Sequence, residues 1–264
     1  MKMTPCTTGP FLQPCSLDGR KYQIDPYVGC AHYCYYCYAL NNAVTDWREE
    51  VRYHDDLLGR LEAELSGIVP QTIYMGWETD PYQPCEKEGR QTRRILELLQ
   101  RKGFSVSILT KSDLVLRDLD ILTEMSEPSI SFSMAFAKDN DRQLFEANTI
   151  GTGARVAAMR TLTSEGIKSS VLLCPVIPHV TEVKPVIESV AGLADKIWIY
   201  GLSILNRSDQ NWKNIEEILA SHYGSLKPEI EAVVFDKGHR YWADLREELL
   251  QLEQALNLNL IIRV

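Results

Sequence analysis

The chain has 264 residues and a formal charge of −8, long enough to bury a full core and near the upper limit of one domain. No apolar run approaches the roughly 20 residues that span a bilayer, and residues 1–13 lack a charged-then-apolar leader, so no membrane partner and a cytoplasmic location are expected. The acidic balance argues against a broad electropositive surface and leaves only a local one for nucleic acid.

Taken in chain order, the first expected strand is Tyr22 to Asp25, just ahead of a cysteine-rich loop. From about Gln71 onward, short β-branched runs alternate with longer segments of helical period, the pattern of repeated βα units and a parallel sheet. Strands are expected at Thr72 to Met75, Ser105 to Leu109, Ser129 to Met134, Ser169 to Leu173 and Lys196 to Tyr200. Helices are expected at Asp55 to Ser66, Glu86 to Lys102, Val115 to Met125, Gly153 to Glu165 and Glu182 to Ala194. Gly67, Gly103 and Gly166 fall where three of these helices should stop. Six βα units in succession read as an α/β fold, a partial (β/α)6 barrel. Trp212 to Ser221 and Arg240 to Leu256 read as helices, and Asn257 to Val264 as a strand that pairs with a sheet edge, since an open Leu-Ile-Ile edge invites aggregation. One domain is expected, with a core over about 20–202 and an extension over about 203–264.

Seven cysteines is an odd number, and three of them fall within eight residues, so the set is not a disulfide framework. Cys30-x-x-x-Cys34-x-x-Cys37 supplies three thiolates to three irons of a cubane cluster and leaves the fourth iron without a protein ligand. A zinc site completed by His32 is the alternative, although structural zinc draws two separated pairs and no Cys-x-x-Cys follows downstream. The other chemical motifs fall after expected strands, where parallel barrels gather reactive groups. Trp77-Glu78-Thr79-Asp80 follows the second strand, Thr110-Lys111-Ser112 the third, and Cys174-Pro175 the fifth. Ser131 and Ser133 flank Phe132 and share one strand face. Arg90, Arg93, Arg94 and Arg101 make a basic helical stripe interleaved with Glu86, Glu88 and Glu97, which favours local ion pairs over a phosphate track; should one arginine bind an anion, the family resemblance given below implies that Arg94 or Arg117 is the inward one.

The cysteine loop with Tyr36 before its third cysteine, Thr79-Asp80-Pro81-Tyr82-Gln83-Pro84, Thr92-Arg93-Arg94-Ile95-Leu96-Glu97, Thr110-Lys111-Ser112 and Leu116-Arg117-Asp118-Leu119-Asp120 occur in one order. Together, over residues 24 to about 180, they resemble the radical S-adenosylmethionine (SAM) superfamily, in particular its spore photoproduct lyase-like, DNA-repair-photolyase-like branch.

The resemblance implies a 4Fe-4S cluster on Cys30, Cys34 and Cys37, SAM on the open iron, and reductive cleavage to a 5′-deoxyadenosyl radical that takes a hydrogen atom from a substrate. It implies that Tyr36 meets the adenine, that Glu78, Thr79 and Asp80 stand where many relatives hold the SAM amino group with Gly-Gly-Glu, that Lys111 pairs with the SAM carboxylate, and that Ser131 and Ser133 meet the ribose. Trp77 and Glu78 occupy the stretch where the lyase carries a hydrogen-donating cysteine, so photoproduct repair is not expected; Cys174 or Cys85 is left as the donor. The expected partners are an external flavodoxin- or ferredoxin-like electron donor and an unidentified substrate, nucleic acid being open by analogy. The rival reading is an iron-sulfur binding or sensing protein that does not cleave SAM.

Overall fold

Residues that alternate between dry and wet surroundings set the central strands. In β6 below, Ile73 and Met75 are completely buried while Thr72 and Tyr74 stay half-buried, the two-residue period of a strand. The structure is a computed structural model that describes residues 1–7 and 9–264. Among these the chain divides into two compact units, the first made of Met1–His32, Ala43–Phe132 and Ala157–Ser169, the second of Tyr33–Asn42, Ser133–Val156 and Ser170–Val264.

The first unit contains β1 (Lys2–Cys6), β2 (Gln13–Pro14), β3 (Tyr22–Ile24), β4 (Tyr27–Val28), β5 (Glu50–His54), α1 (Leu57–Glu64), β6 (Thr72–Met75), α2 (Glu86–Gly89), α3 (Gln91–Arg101), β7 (Ser105–Thr110), α4 (Leu119–Leu122) and nearly all of β8 (Ser129–Ser133). Strands β3, β6, β7 and β8 pair in that order, all parallel, and β2 joins β3 antiparallel. The register aligns Tyr74 with Ser107 and Ser129, and Leu109 with Ser131. A smaller three-stranded sheet, β1-β5-β4, was not expected from the sequence.

The second unit carries α5 (Asp139–Phe145), α6 (Thr152–Ser164, whose later residues belong to the first unit), β9 (Lys168–Val176), α7 (Val183–Val190), β10 (Ile197–Gly201), α8 (Gln210–His222), α9 (Lys227–Phe235), α10 (Arg240–Leu256) and β11 (Leu260–Arg263). The expected terminal strand forms: β11 pairs parallel with β10, Ile197 opposite Leu260, and closes an otherwise exposed apolar edge. Its apolar core joins Phe136, Phe145, Ile177, Leu202, Trp212 and Ile230 with Cys34 and Tyr36.

Two expected helices are broken. Glu86 to Lys102 splits at Arg90, which takes a left-handed φ of 48°. The helical period runs unbroken through this segment, but the buried Glu86 carboxylate turns to accept from the backbone N–H groups of Thr92 and Arg93, capping α3. A side chain at Gly89 would meet the Tyr27 hydroxyl and Met3, so the break also fits the neighbouring strand. Val115 to Met125 is divided between the end of a 3-10 helix, Asp113–Asp118, and the single turn of α4, with turns after it; Ser112 accepts from Leu114 N at the start of the 3-10 helix. No helix among the described residues is long and apolar enough to cross a membrane.

Candidate functional site

The cysteine loop is held from both flanks of its sequence, by different elements. On the first-unit side the fully buried Gln83 brackets Cys30: its Oε1 accepts from Ala31 N at 2.7 Å and its Nε2 donates to Gly29 O at 3.0 Å. His32, also buried, places Nε2 3.2 Å from the Asp80 carboxylate. On the second-unit side Tyr35 N donates to Phe145 O at 3.0 Å. From α8, Asn214 Nδ2 donates to Tyr35 O and Asn211 Nδ2 to Tyr36 O, each at 3.3 Å. Cys37 N closes a turn onto Cys34 O at 2.9 Å. Cys30 and Cys34 are buried and Cys37 is half-buried.

These residues suit the expected cluster by the chemistry of their donors. Three soft thiols come from one short loop whose backbone is fixed by Gln83, Asn211 and Asn214. Among the described residues no three His, Cys, Asp or Glu side chains converge as a ligand set for one ion. A cubane makes a different demand, since each thiolate binds its own iron and the sulfurs ring the cluster instead of closing on a point.

Tyr36 is more deeply built in than the resemblance suggests. Its hydroxyl donates to Glu146 Oε1, and Glu146 Oε2 accepts from Arg155 at 2.7 Å and from the Thr149 hydroxyl at 3.2 Å. Glu146 and Arg155 are both essentially sealed from solvent. Burial first, and the Glu146 charge second, push the Tyr36 phenol far above its ordinary range, so it remains a donor. Arg155 also donates to Ser133 O at 2.6 Å, tying the end of β8 to this pair.

The loop after β6 is organised by Asp25 at the end of β3. Asp25 Oδ1 accepts from Glu78 N at 3.1 Å and Thr79 N at 3.0 Å. The Thr79 hydroxyl, buried, donates to Tyr27 O at 3.2 Å and keeps its lone pairs. Asp80 accepts from Tyr82 N at 2.8 Å, the Thr110 hydroxyl at 2.7 Å and Lys111 N at 2.7 Å. Burial alone would raise its pKa, but His32 and these donors outweigh burial and hold it at about 2. Asp80 is therefore a fixed anion that joins the cysteine loop to the end of β7. Glu78 is exposed, and Lys111 is half-buried one residue beyond β7.

The two serines expected to act together differ. Ser131 is half-buried, whereas Ser133 is buried with its hydroxyl 3.5 Å from Cys174 O. Cys174 is half-buried on β9. Cys85 packs beside Tyr27, Ala31 and Val51, and burial, then the Glu86 charge, pushes its thiol up to about 12, so it keeps its hydrogen.

Several residues here were not reached from the sequence. Gln83 lay in a quoted motif without an assigned role, Arg93 was expected in local ion pairs but not with Asp118 and Asp120, and Glu146, Arg155, Asn211 and Asn214 carried no local signal. The arginine motifs resolve into one ionic cluster: Arg117 pairs with Glu86 at 2.6 Å and Asp118 at 2.7 Å, and Arg93 with Asp118 at 2.8 Å and Asp120 at 2.7 Å. The Tyr82 hydroxyl joins it through Asp118 at 3.2 Å, and that of Tyr27 through Glu86 at 2.5 Å. Arg117 does turn inward, toward protein carboxylates, while Arg94 is exposed.

Comparison with known proteins identifies the family. The family model of the Radical SAM superfamily matches residues 24–188, which span all three loop cysteines. An uncharacterized protein of Methanocaldococcus jannaschii is 30% identical over 181 residues, 67% of this chain and 68% of that protein. An uncharacterized protein of Mycobacterium bovis is 28% identical over 209 residues, 73% of this chain but only 61% of its own length. Spore photoproduct lyase complexed with dinucleoside spore photoproduct superposes with a TM-score of 0.70 at 12% identity, covering 99% of this chain and 82% of the lyase. Streptococcus suis SuiB bound to S-adenosylmethionine superposes with a TM-score of 0.56 at 13% identity, over 92% of this chain and 50% of SuiB. At these identities the structural likenesses show the fold alone, the α/β partial (β/α)6 barrel class expected from the sequence. The chain belongs to the radical SAM superfamily.

Proposed function

We propose, with that membership as premise, that this protein is a radical SAM enzyme which takes a hydrogen atom from a substrate. The observation that carries the reading is the coincidence, within the family match at residues 24–188, of three loop cysteines and a backbone braced around them by Gln83 and Asn211. Cys30, Cys34 and Cys37 would hold a 4Fe-4S cluster. When bound, the cluster supplies the electron for reductive cleavage of SAM to methionine and a 5′-deoxyadenosyl radical.

The chain's own residues do the binding and exclusion. Asp80, held ionised at about pKa 2, supplies negative charge for the SAM ammonium, and the Thr79 hydroxyl offers an acceptor. Glu78 offers a second, exposed carboxylate in that loop. Lys111 is suited to the SAM carboxylate, Ser131 and Ser133 to the ribose, and Tyr36 to the adenine through its loop backbone, its ring being committed to the apolar core and its hydroxyl to Glu146. Cys174 and Cys85 are the candidate hydrogen donors, Cys85 being held as a thiol. A flavodoxin- or ferredoxin-like protein is the proposed electron source.

The test is anaerobic reconstitution with iron and sulfide, reduction in the presence of SAM, and chromatography for 5′-deoxyadenosine. The expected result is 5′-deoxyadenosine and methionine in equal amounts, and none from Cys34→Ala. A complete cluster that yields neither product under several reductants would leave a binding or sensing protein, and zinc in place of iron would restore the zinc reading.

A further inference from the structure

Trp47 stands outside every motif in the sequence, yet it is only 5% exposed and packs against the residue that precedes the first loop cysteine. Register explains how it comes to be there. Strands β4 and β5 run antiparallel, Tyr27 opposite Tyr53 and Val28 opposite Arg52, and continuing that register brings Cys30 level with Glu50. In the turn that leads into β5, the amides of Glu49 and Glu50 donate to Asp46 O at 3.0 and 2.9 Å. Trp47, inside that turn, is thereby set against Gly29.

The polar edge of the indole makes the contact. A Cβ on Gly29 would lie 3.1 Å from Trp47 Cδ1 and 3.3 Å from Nε1, tighter than side chains ordinarily pack, and Gly29 takes a φ of +92° that favours glycine. A bare backbone at this position thus admits the pyrrole edge beside Cys30. Trp47 Nε1 is sealed from solvent, and no protein group accepts its hydrogen. Buried tryptophan N–H groups ordinarily have an acceptor, so an orphan here points to one that the polypeptide does not itself supply. Two carbonyls stand close by without serving: Gly29 O receives Gln83 Nε2 at 3.0 Å, and Glu50 O lies 3.4 Å from the same Cβ position. Thiolate and sulfide sulfurs of a cluster are acceptors of the missing kind, because they carry negative charge.

We propose that Trp47 donates its indole N–H to a sulfur at the Cys30 corner of the 4Fe-4S cluster and so sets the cluster's reduction potential. The assignment rests on the cluster reading and adds to it a residue outside the cysteine loop. Reduction makes the cluster more negative, so an N–H dipole aimed at its sulfur favours the reduced form and raises the potential. Water admitted to the same place would also raise it, since water dipoles stabilise the more highly charged state. Loss of the donor and loss of packing therefore move the potential in opposite directions.

The test uses the full chain, reconstituted anaerobically with iron and sulfide and carrying tryptophan labelled with nitrogen-15 at the indole nitrogen. Pulsed electron paramagnetic resonance of the reduced cluster should show a nitrogen-15 coupling. That coupling should vanish in Trp47→Phe and persist in Trp77→Phe and Trp212→Phe, the second of these replacing a ring that shares an apolar core with Cys34 and Tyr36. A redox titration followed by the same resonance should place the midpoint of Trp47→Phe at a more negative potential than that of the wild type. Absence of the coupling in the wild type, its loss in Trp77→Phe or Trp212→Phe, or a potential in Trp47→Phe that is unchanged or higher would each overturn the proposal. Should Trp47→Phe fail to hold a cluster, the labelled wild type and the other two variants decide by the coupling alone. Metal analysis of the wild type keeps the premise separate: zinc in place of iron would overturn the cluster reading itself.

Discussion

Tyr36 donates its phenolic hydrogen to Glu146, a carboxylate with no exposed surface that is ion-paired to the equally buried Arg155 at 2.7 Å. A tyrosine between Cys34 and Cys37 is thereby anchored to a charge pair 110 residues away in sequence. The two ends of that contact should respond unequally. Tyr36→Phe removes one neutral donor and should cost about 1–3 kcal/mol. Glu146→Ala strips Arg155 of its buried counter-charge and should cost about 3–5 kcal/mol. Urea unfolding of the two variants checks the order, and equal losses would mean that Arg155 finds relief elsewhere.

Gln83 makes a second prediction, about the other end of the loop. Both the oxygen and the nitrogen of its side-chain amide are spent on the backbone either side of Cys30, in a place with no solvent exposure. Gln83→Leu is close in volume and leaves Gly29 O and Ala31 N without those partners, at about 1–3 kcal/mol each. Iron and sulfide retained per chain after reconstitution should fall well below the wild-type value, and the far-UV spectrum should stay unchanged. Full retention would show that Cys30 needs no bracing.

A third prediction concerns pH. Burial raises Asp25 to about 6, against the attraction of the Thr79 and Glu78 amides, from an ordinary value of 3.8. The folded state thus binds its proton more tightly, so this contribution to stability is complete below the unfolded pKa and is lost as pH rises through about 6. His54 works in the opposite sense: burial, then the Arg60 charge, lowers it from 6.5 to about 4, so its contribution is present above 6.5 and is lost as pH falls toward 4. The two slopes oppose each other over one window. Asp25→Asn should therefore gain stability relative to wild type on going from pH 4 to pH 7, by about 2–3 kcal/mol. Urea midpoints at the two pH values read this out, and a constant difference would contradict it.

How much of this was visible in the sequence depended on the distance over which each signal acts. Cys30, Cys34 and Cys37 are local, and the strands from Thr72 to Tyr200 announce themselves by period. Glu146 could not be seen from Tyr36, because only the folded connection between the loop and the turn after α5 brings them together. The break at Arg90 was invisible for the opposite reason. Its helical period is continuous, and what interrupts it is the Glu86 carboxylate choosing the amides of Thr92 and Arg93. Strand β1 lacks clean alternation, with Pro5 and exposed or half-buried neighbours, and it is recruited by pairing with β5. Asp80, read from the sequence as a ligand-facing acid, is a brace in the fold, a use that no spacing rule signals.

The last prediction follows from which member of the arginine cluster has the most dependants. Glu86 has no exposed side-chain surface and receives the Tyr27 hydroxyl, two backbone amides of α3 and the Arg117 guanidinium. Arg117, by contrast, is partly exposed and has a second partner in Asp118. Loss of Arg117 leaves Glu86 three donors, whereas loss of Glu86 leaves the amides of Thr92 and Arg93 unpaired and Tyr27 without its acceptor. Glu86→Ala should accordingly cost about 3–5 kcal/mol and Arg117→Ala clearly less, because Glu86 keeps its three other donors and Asp118 keeps Arg93. Tyr27 lies three residues before Cys30, so Glu86→Ala should also lower iron retention at temperatures well below its unfolding midpoint, while Arg117→Ala should not. Thermal unfolding and iron content measured on the same samples separate the two effects, and parallel losses in both variants would show that the cluster acts only as a stabilising unit.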